Sequence, residues 1–161
     1  MTVDVIEADL THPAQAQAVV DLLNRYAREP TGGGAELDAQ VKQNLIPALQ
    51  RRPEALVLLA MQEGEAVGLL NAFEGFSTFA AAVLLNIHDV YVLPSLRGKG
   101  IARALFEYAE RVAKRRSCCK MTLEVLSGNL PAQRLYLTLG FEAYALDERM
   151  GYAQFWQKRL R

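Results

Sequence analysis

The residue types best suited to chemistry lie in the segment Asp89–Ala102. An apolar strand pattern ends there at Leu93, and the basic loop Arg97–Gly100 then leads directly into a helix pattern. Unpaired N–H groups and the positive end of a helix dipole converge on such a loop, and its glycines let a bulky anion approach the backbone. The arginine and the lysine of the loop add full positive charges. The segment therefore predicts a pyrophosphate site.

The loop does not fit two common nucleotide-binding patterns. Gly98-Lys99 is not followed by serine or threonine, so the hydroxyl that binds magnesium in a P-loop is missing. The three-glycine dinucleotide fingerprint is also missing. The loop instead resembles the acyl-CoA loop of the GCN5-related N-acetyltransferases (GNAT), Arg/Gln-x-x-Gly-x-Gly/Ala, through Arg97, Gly100 and Ala102.

A second segment carries the same resemblance. The family pattern Asn-x-x-Ala-x-x-Leu-Tyr, followed by Leu-Gly-Phe, is matched in order and spacing by Asn129, Ala132, Leu135, Tyr136, Leu139, Gly140 and Phe141. The resemblance extends from about Ala55 to Phe155 and implies an acyltransferase that uses acetyl-CoA as its acyl donor. The cofactor-binding residues that it implies are Val90, Tyr91, Val92, Arg97, Gly98, Lys99, Gly100, Ile101, Ala102, Asn129 and Ala132.

The resemblance also implies how the donor is held and how its thiol leaves. The strand ending at Leu93 would part from the strand starting near Lys120, and the pantetheine arm would pair with the backbone of Val90 and Val92. A backbone N–H near Val90 would polarise the acetyl carbonyl. Tyr136 stands where many family members place a tyrosine near the CoA sulfur, and a phenol with a pKa of about 10 can protonate a departing thiolate. Plain core packing is the alternative for this tyrosine.

The acceptor amine has to lose a proton, because an alkyl amine has a pKa of about 10.4. His88 and Asp89 are polar residues inside an otherwise apolar strand, and Asp89 is favoured because it can also bind a cationic amine. Glu74 and Glu124 are the reserve candidates. Alternation sends His88 and Asp89 to opposite faces unless a bulge intervenes, so one of them is expected to reach the substrate. The alternative for His88 is a core histidine.

In folds of the resembled family the acceptor enters near the first helices and the loop before the fourth strand. The substrate-binding candidates there are Tyr26, Glu74, Phe76 and Asp89, and Gly32–Gly34 predicts a mobile loop or a flexible connector. The strand His88–Val92 looks like the Glu-Asp-aromatic-aromatic-Val strand of diamine acetyltransferases, with histidine in place of glutamate. The interpretation is an N-acetyltransferase for a small-molecule amine. Its alternatives are a protein or peptide amine acetyltransferase and a non-catalytic acyl-CoA sensor.

The apolar periodicities predict an α+β fold with one splayed mixed sheet and helices on both faces, in the order βααβββαβαββ. The predicted strands cover 2–8, 55–61, 66–73, 83–93, 121–125, 141–146 and 153–160. The predicted helices begin near 13 and 36 and cover 98–116 and 130–139. Residues 1–161 contain no linker or repeat, so a single domain is expected.

Composition limits the class of protein and its surroundings. The 18 basic and 18 acidic residues give no net charge, which argues against a nucleic-acid binder. The apolar run 55–61 is too short to cross a bilayer, and the first residues do not form a signal-peptide pattern. The adjacent Cys118 and Cys119 favour neither a disulfide nor a zinc site, so no metal and a cytoplasmic location are expected. A homodimer through the terminal strands, with Phe155 or Trp156 in the contact, remains open.

Overall fold

The computed structural model describes residues 3–145, 147 and 149–160, and these fall into two compact units that meet in sequence at Leu123 and Glu124. A 3-10 turn, Pro94–Leu96, precedes α3 in the first unit. The elements of the first unit are β1 (Asp4–Glu7), α1 (Pro13–Ala27), α2 (Ala39–Gln50), β2 (Ala55–Gln62), β3 (Glu65–Ser77), β4 (Ala82–Val92), α3 (Ile101–Arg115) and β5 (Met121–Leu123). The second unit contains α4 (Leu130–Thr138). No helix among the described residues has both the length and the apolar composition needed to cross a membrane.

The five strands form one mixed sheet in sequence order, β1-β2-β3-β4-β5. The first three pairs are antiparallel, and β4 and β5 are parallel. The mixed α+β class predicted from the sequence is therefore confirmed. β4 and β5 pair only from Leu85 to Ile87 on the β4 side, so the two strands part after a short contact. This is the splayed sheet that the resemblance implied.

Helices cover both faces of the sheet because its central strands are apolar on both sides. On one face, α1 and α2 bury Val19, Leu22 and Leu49 against odd-numbered residues of β2 and β3 such as Leu59 and Leu69. On the other face, α3 packs against β2, β3 and β4. A Cβ added to Gly68 would stand 3.3 Å from Cγ2 of Ile101, so this glycine lets the start of α3 approach β3 closely.

A β-bulge interrupts β4 at the point where the sequence placed its catalytic candidates. Asn71 pairs with Asp89, but the next residue, Ala72, pairs with Ile87. His88 is therefore the extra residue of the bulge and has no partner in the register with β3. The bulge changes which side chains of β4 share a face.

Several predicted boundaries move for identifiable reasons. α3 begins at Ile101 and not at Gly98, because Gly98 and Gly100 adopt φ values of 75° and 84°, which a right-handed helix does not contain. β3 continues to Ser77 and β4 begins at Ala82, so the connection between the predicted strands 66–73 and 83–93 shrinks to a tight turn. The first predicted strand forms as Asp4–Glu7, and Thr2 lies outside the described residues.

The last two predicted strands, 141–146 and 153–160, are wrong within the described part of the chain, from which Leu146 is excluded. One isolated bridge joins Ala145 and Tyr152. The described side chains from Glu142 onward are exposed, including Phe155 and Trp156. Apolar and polar residues alternate there, but neither set is buried. Strand pairing would therefore bury no apolar surface and gain no hydrophobic stabilisation.

Candidate active site

The loop between β4 and α3 has room for a bulky anion at the start of a helix. Gly98 and Gly100 both have positive φ, and a Cβ built on either one would meet no atom within 4 Å. Gly100 caps α3 without a side-chain hydrogen bond, and Ala104 N–H is the first to bond back, to the carbonyl of Gly100. The N–H groups ahead of Ala104 have no helical carbonyl to bind, so they suit an anionic ligand. With the exposed Lys99 beside them, they fit the pyrophosphate predicted for this loop.

Arg97 ties this loop to two other elements. Its Nε donates to the carbonyl of Val92 at 3.0 Å, and its guanidinium lies 5.5 Å from the centre of the Tyr91 ring. The same guanidinium forms an ion pair with Glu29, in the loop after α1. Burial raises the pKa of Tyr91 and the charge of Glu29 raises it further, while Arg97 opposes both effects. Arg97 thus has a structural role as well as its predicted role in phosphate binding.

The edge of β4 beyond the bulge is open. Leu93 N–H donates to the carbonyl of Val67 at 3.0 Å, so the backbone groups of Leu93 point towards β3. Backbone groups of successive strand residues alternate in direction, so those of Val92 and Val90 point to the opposite edge. Among the described residues, no strand pairs with that edge from His88 to Val92. The two residues predicted to hold the pantetheine arm therefore lie on an edge that no described strand covers and that ends at the glycine loop. At this edge the carbonyl of Val92 accepts the hydrogen bond from Arg97 Nε.

The bulge places both catalytic candidates of β4 on the face that α1 covers. Asp89 Oδ2 accepts a hydrogen bond of 3.0 Å from Nδ2 of Asn71, and the ring of His88 meets Phe73 edge-on at 5.0 Å. Asn71 and Phe73 are two residues apart on β3 and so point to the same face. A bulge does intervene here, which is the exception named for strand alternation, so His88 and Asp89 share a face. His88 is also exposed, so it is not a core histidine.

Tyr26 brings α1 into the same group. Burial raises the pKa of its phenol first, and the negative charges of Asp89 and Glu29 raise it further. Its hydroxyl donates to the carbonyl of Thr31 at 3.4 Å, and its ring lies 6.1 Å from that of Tyr91. We call Tyr26, Asn71, His88 and Asp89 the bulge cluster. It combines a carboxylate, an imidazole, a phenol and a buried amide.

Two predicted acceptor residues lie elsewhere. Glu74 alternates with Phe73 and points to the α3 face, where it forms a 2.8 Å ion pair with Arg116. Its carboxylate is paired with the guanidinium of Arg116 and points away from the bulge cluster, so it does not serve as a reserve base there. Phe76 stands near the end of β3 with 62% of its surface exposed. Glu124, the other reserve base, begins the second unit.

The second motif builds the two ends of α4. Asn129 caps the helix, its Oδ1 accepting from Ala132 N–H at 3.3 Å. At the other end Phe141 N–H donates to the carbonyl of Tyr136 at 3.0 Å, and Gly140 N–H donates to that of Leu137 at 3.1 Å. With Gly140 at a φ of 85° and the rings of Tyr136 and Phe141 6.0 Å apart, this is a Schellman cap with its hydrophobic contact. The Leu-Gly-Phe signature thus ends the helix that carries Tyr136.

Sequence reasoning missed one residue of the first unit, Asn71, and one contact, the ion pair of Glu29 with Arg97. Asn71 interrupts the apolar run of β3, and that interruption is a signal visible in the sequence. Glu29 follows α1, and nothing in its sequence context indicates a partner 68 residues away. The first can be found by asking which polar residues a strand would bury. The second depends on tertiary structure alone.

Comparison with known proteins places this geometry in context. The chain matches the model of the acetyltransferase (GNAT) family over residues 16–141. It is 27% identical over 129 residues to the uncharacterized N-acetyltransferase YhfO of Bacillus subtilis, covering 80% of this chain and 85% of that relative. It is 38% identical over 85 residues to the streptothricin acetyltransferase of Streptomyces lavendulae, covering 53% of this chain and only 45% of that relative.

The fold has a solved counterpart. The structure of AAC(6')-Iy in complex with the bisubstrate analogue CoA-S-monomethyl-acetylneamine superposes with a TM-score of 0.78 at 18% identity, over 99% of both chains. At that identity the likeness concerns the fold, which agrees with the splayed mixed sheet described above.

Proposed function

The chain belongs to the acetyltransferase (GNAT) family, and we propose that it transfers an acetyl group from acetyl-CoA to a primary amine of a small molecule by direct attack in a ternary complex. One observation carries the proposal: the open edge of β4 at Val90 and Val92 leads straight to the glycine loop at the start of α3. An extended donor that ends in phosphate groups fits this arrangement, because its arm can pair with the strand edge while its phosphates reach the N–H groups of the loop. The family match runs from the first unit into the second, which supports a single catalytic domain.

The donor side of the site consists mainly of backbone. Gly98–Ala102 would hold the pyrophosphate through N–H groups, and Lys99 would add charge. When bound, acetyl-CoA supplies the activated acetyl group. Val90 N–H, on the open edge, is the group proposed to polarise the acetyl carbonyl and stabilise the oxyanion. Because these groups are fixed by β4 and α3, little reorganisation is needed to hold the donor.

The acceptor side is the bulge cluster. Asp89 is the proposed ligand for the cationic amine and the proposed base that takes its proton. His88 is exposed next to Asp89, which suits passing that proton on to water. Tyr26 lies on α1 next to the same face, and the negative charge of Asp89 helps to raise the pKa of its phenol. This group favours a cationic primary amine over a neutral or anionic acceptor.

Tyr136 is the proposed acid of the second unit. A phenol with a pKa of about 10 can protonate the thiolate that leaves as the new amide forms. The cap at Gly140 and Phe141 fixes the last turn of its helix. Tyr136→Phe is therefore expected to lower kcat by roughly a hundred-fold, the lower end of general acid catalysis, while acetyl-CoA still binds. Tyr152→Phe, in the same unit and 74% exposed, is the matched control.

The test follows thermal stability and free thiol release together. The protein is mixed with acetyl-CoA and, in turn, with streptothricin, neamine, a linear diamine and a peptide with a free N-terminus. Stabilisation by acetyl-CoA with thiol release on a small amine supports the proposal. Stabilisation without thiol release on any amine favours an acyl-CoA sensor, and release on the peptide alone favours a protein acetyltransferase. No stabilisation by acetyl-CoA contradicts the donor site.

A further inference from the structure

Asn71 is a buried polar residue that neither packing nor the sheet requires. It is 3% exposed and is the one polar side chain in the buried core of the described residues. Its neighbours along β3 are apolar, and a leucine of similar size would fit the pattern of the strand. Burying an amide costs free energy unless both of its ends find partners. We therefore expect a contact that compensates for the free energy of burying this amide.

One end of Asn71 has a partner and the other does not. Nδ2 donates to Oδ2 of Asp89 at 3.0 Å across the β3–β4 pair. A carboxylate only accepts hydrogen bonds, so this contact fixes the amide with its NH₂ group towards Asp89. Oδ1 is buried and accepts no hydrogen bond from any described residue. An acceptor oxygen next to the proposed base is thus left for a donor from outside the chain.

A bound amine supplies such a donor. An ammonium carries several N–H groups, enough to reach the carboxylate of Asp89 and the amide oxygen of Asn71 together, directly or through one buried water. The titratable groups beside Asp89 are Tyr26 on α1 and His88 in the bulge. The hydroxyl of Tyr26 donates to Thr31, so it does not satisfy Asn71.

Building on the proposed function, we propose that Asn71 is a positioning residue that orients the carboxylate of Asp89 and accepts a hydrogen bond from the bound amine. Nδ2 holds one carboxylate oxygen, which leaves the other for the amine. Oδ1 then gives the amine a second acceptor. A site built in this way selects amines that offer two N–H donors, because a poorer donor leaves a buried oxygen unpaired.

The contact with Asp89 is tested without any turnover. The ¹³C resonance of the Asp89 carboxyl carbon is recorded at neutral pH and assigned from the spectrum of Asp89→Asn. In Asn71→Leu the carboxylate loses the hydrogen bond from Nδ2, so this resonance is expected to shift. The control is Asn86→Leu, because Asn86 lies on β4 near the bulge and donates at 2.9 Å to the neutral hydroxyl of Thr122.

The role in amine binding is tested by steady-state kinetics on the best amine of the panel. Asn71→Leu is expected to lower kcat/KM for the amine about ten-fold, while KM for acetyl-CoA stays within about two-fold. Asn86→Leu is expected to leave both unchanged. Equal losses for both substrates, or an Asp89 carboxyl resonance that does not shift in Asn71→Leu, would overturn the role of Asn71 while wild-type transfer still stands. Absence of transfer by the wild-type enzyme would instead overturn the proposed function, and this role with it.

Discussion

Two glycine-containing loops of the first unit use glycine for opposite purposes. In the loop after α1, a Cβ on Gly32 would stand 2.0 Å from the carbonyl oxygen of Tyr26, so glycine is needed for close internal packing. In the loop before α3, Gly98 and Gly100 need positive φ, and a Cβ on either would meet nothing. The first loop is filled by the protein itself. The second leaves space for a ligand.

The two loops also differ in how their backbones are tied. Gly32 N–H and Gly34 N–H both donate to the carbonyl of Glu29, at 2.9 and 3.0 Å, so the triple-glycine segment closes on itself. The loop before α3 is instead anchored by one side chain, Arg97, which pairs with Glu29. A run of glycines in a sequence therefore does not distinguish a packed turn from an open ligand loop. The Cβ environment of each glycine does.

The largest expected effect is that of Gly32→Ala. The added methyl group collides with backbone and not with a flexible side chain, so the turn has to move. We expect the free energy of unfolding to fall by about 3 kcal/mol, the upper range for overpacking. Chemical denaturation measures this change. Gly128→Ala is the control, since a Cβ at Gly128 meets nothing within 4 Å, and an equal loss there would refute the packing argument.

Gly100→Ala is expected to have a smaller effect on stability and a clear effect on binding. An alanine at a φ of 84° costs about 1 kcal/mol of stability. Its methyl group also enters the open space at the start of α3, so the Kd for acetyl-CoA is expected to rise roughly ten-fold. Gly64→Ala is a matched control, because Gly64 has the same φ and equally open surroundings in the β2–β3 turn. Equal binding by both variants would show that the loop does not hold the donor.

Glu29→Gln tests the ion pair that joins the loops. Both side chains are partly exposed, so its loss should cost only about 0.5 kcal/mol of stability. Removing a negative charge near Arg97 should also tighten acetyl-CoA binding about two-fold at low salt, through the Coulomb term. Calorimetric titration at two salt concentrations measures this. Glu36→Gln, which breaks exposed pairs to Arg28 and Lys42, is the control. Weaker binding in Glu29→Gln would mean that the pair holds the loop in its binding shape.

Much of the fold could be predicted because its signals are local. The apolar runs of β2 and β3 and the amphipathic pattern of α3 correspond to elements that bury those residues. The open loop before α3 was also predictable, since positive φ at Gly98 and Gly100 is what glycine permits. The terminal strands failed because alternation predicts a strand only where one face becomes buried. The exposed residues after Phe141 do not meet that condition.

The candidate site was less predictable because it depends on register. One extra residue in β4 puts His88 beside Asp89 on one face of the sheet. The residue types at that point of the sequence do not indicate a bulge. The same register pairs Asp89 with Asn71 and turns Glu74 to the other side of the sheet. Sequence spacing supplied the chemical groups of the site. Strand pairing determined which of them meet.

The smallest expected effect concerns the phenol of Tyr26, which lies beneath the first loop. Burial, then the charges of Asp89 and Glu29, raise its pKa above the ordinary value of about 10. The unfolded chain therefore releases this proton at lower pH than the folded chain does. As a result, the stability from Tyr26 is fully present below about pH 10 and is lost as pH rises through the folded pKa.

Melting temperatures between pH 8.5 and 11 measure this loss, and Tyr26→Phe should show a shallower decline than the wild-type protein. Tyr91 keeps part of the slope in that variant, because its pKa is raised as well. Tyr152→Phe is the control, since its phenol is exposed in the folded chain and should leave the slope as it is. A slope unchanged in Tyr26→Phe would mean that the first loop does not shield the phenol from water. The first loop would then be as open as the loop before α3.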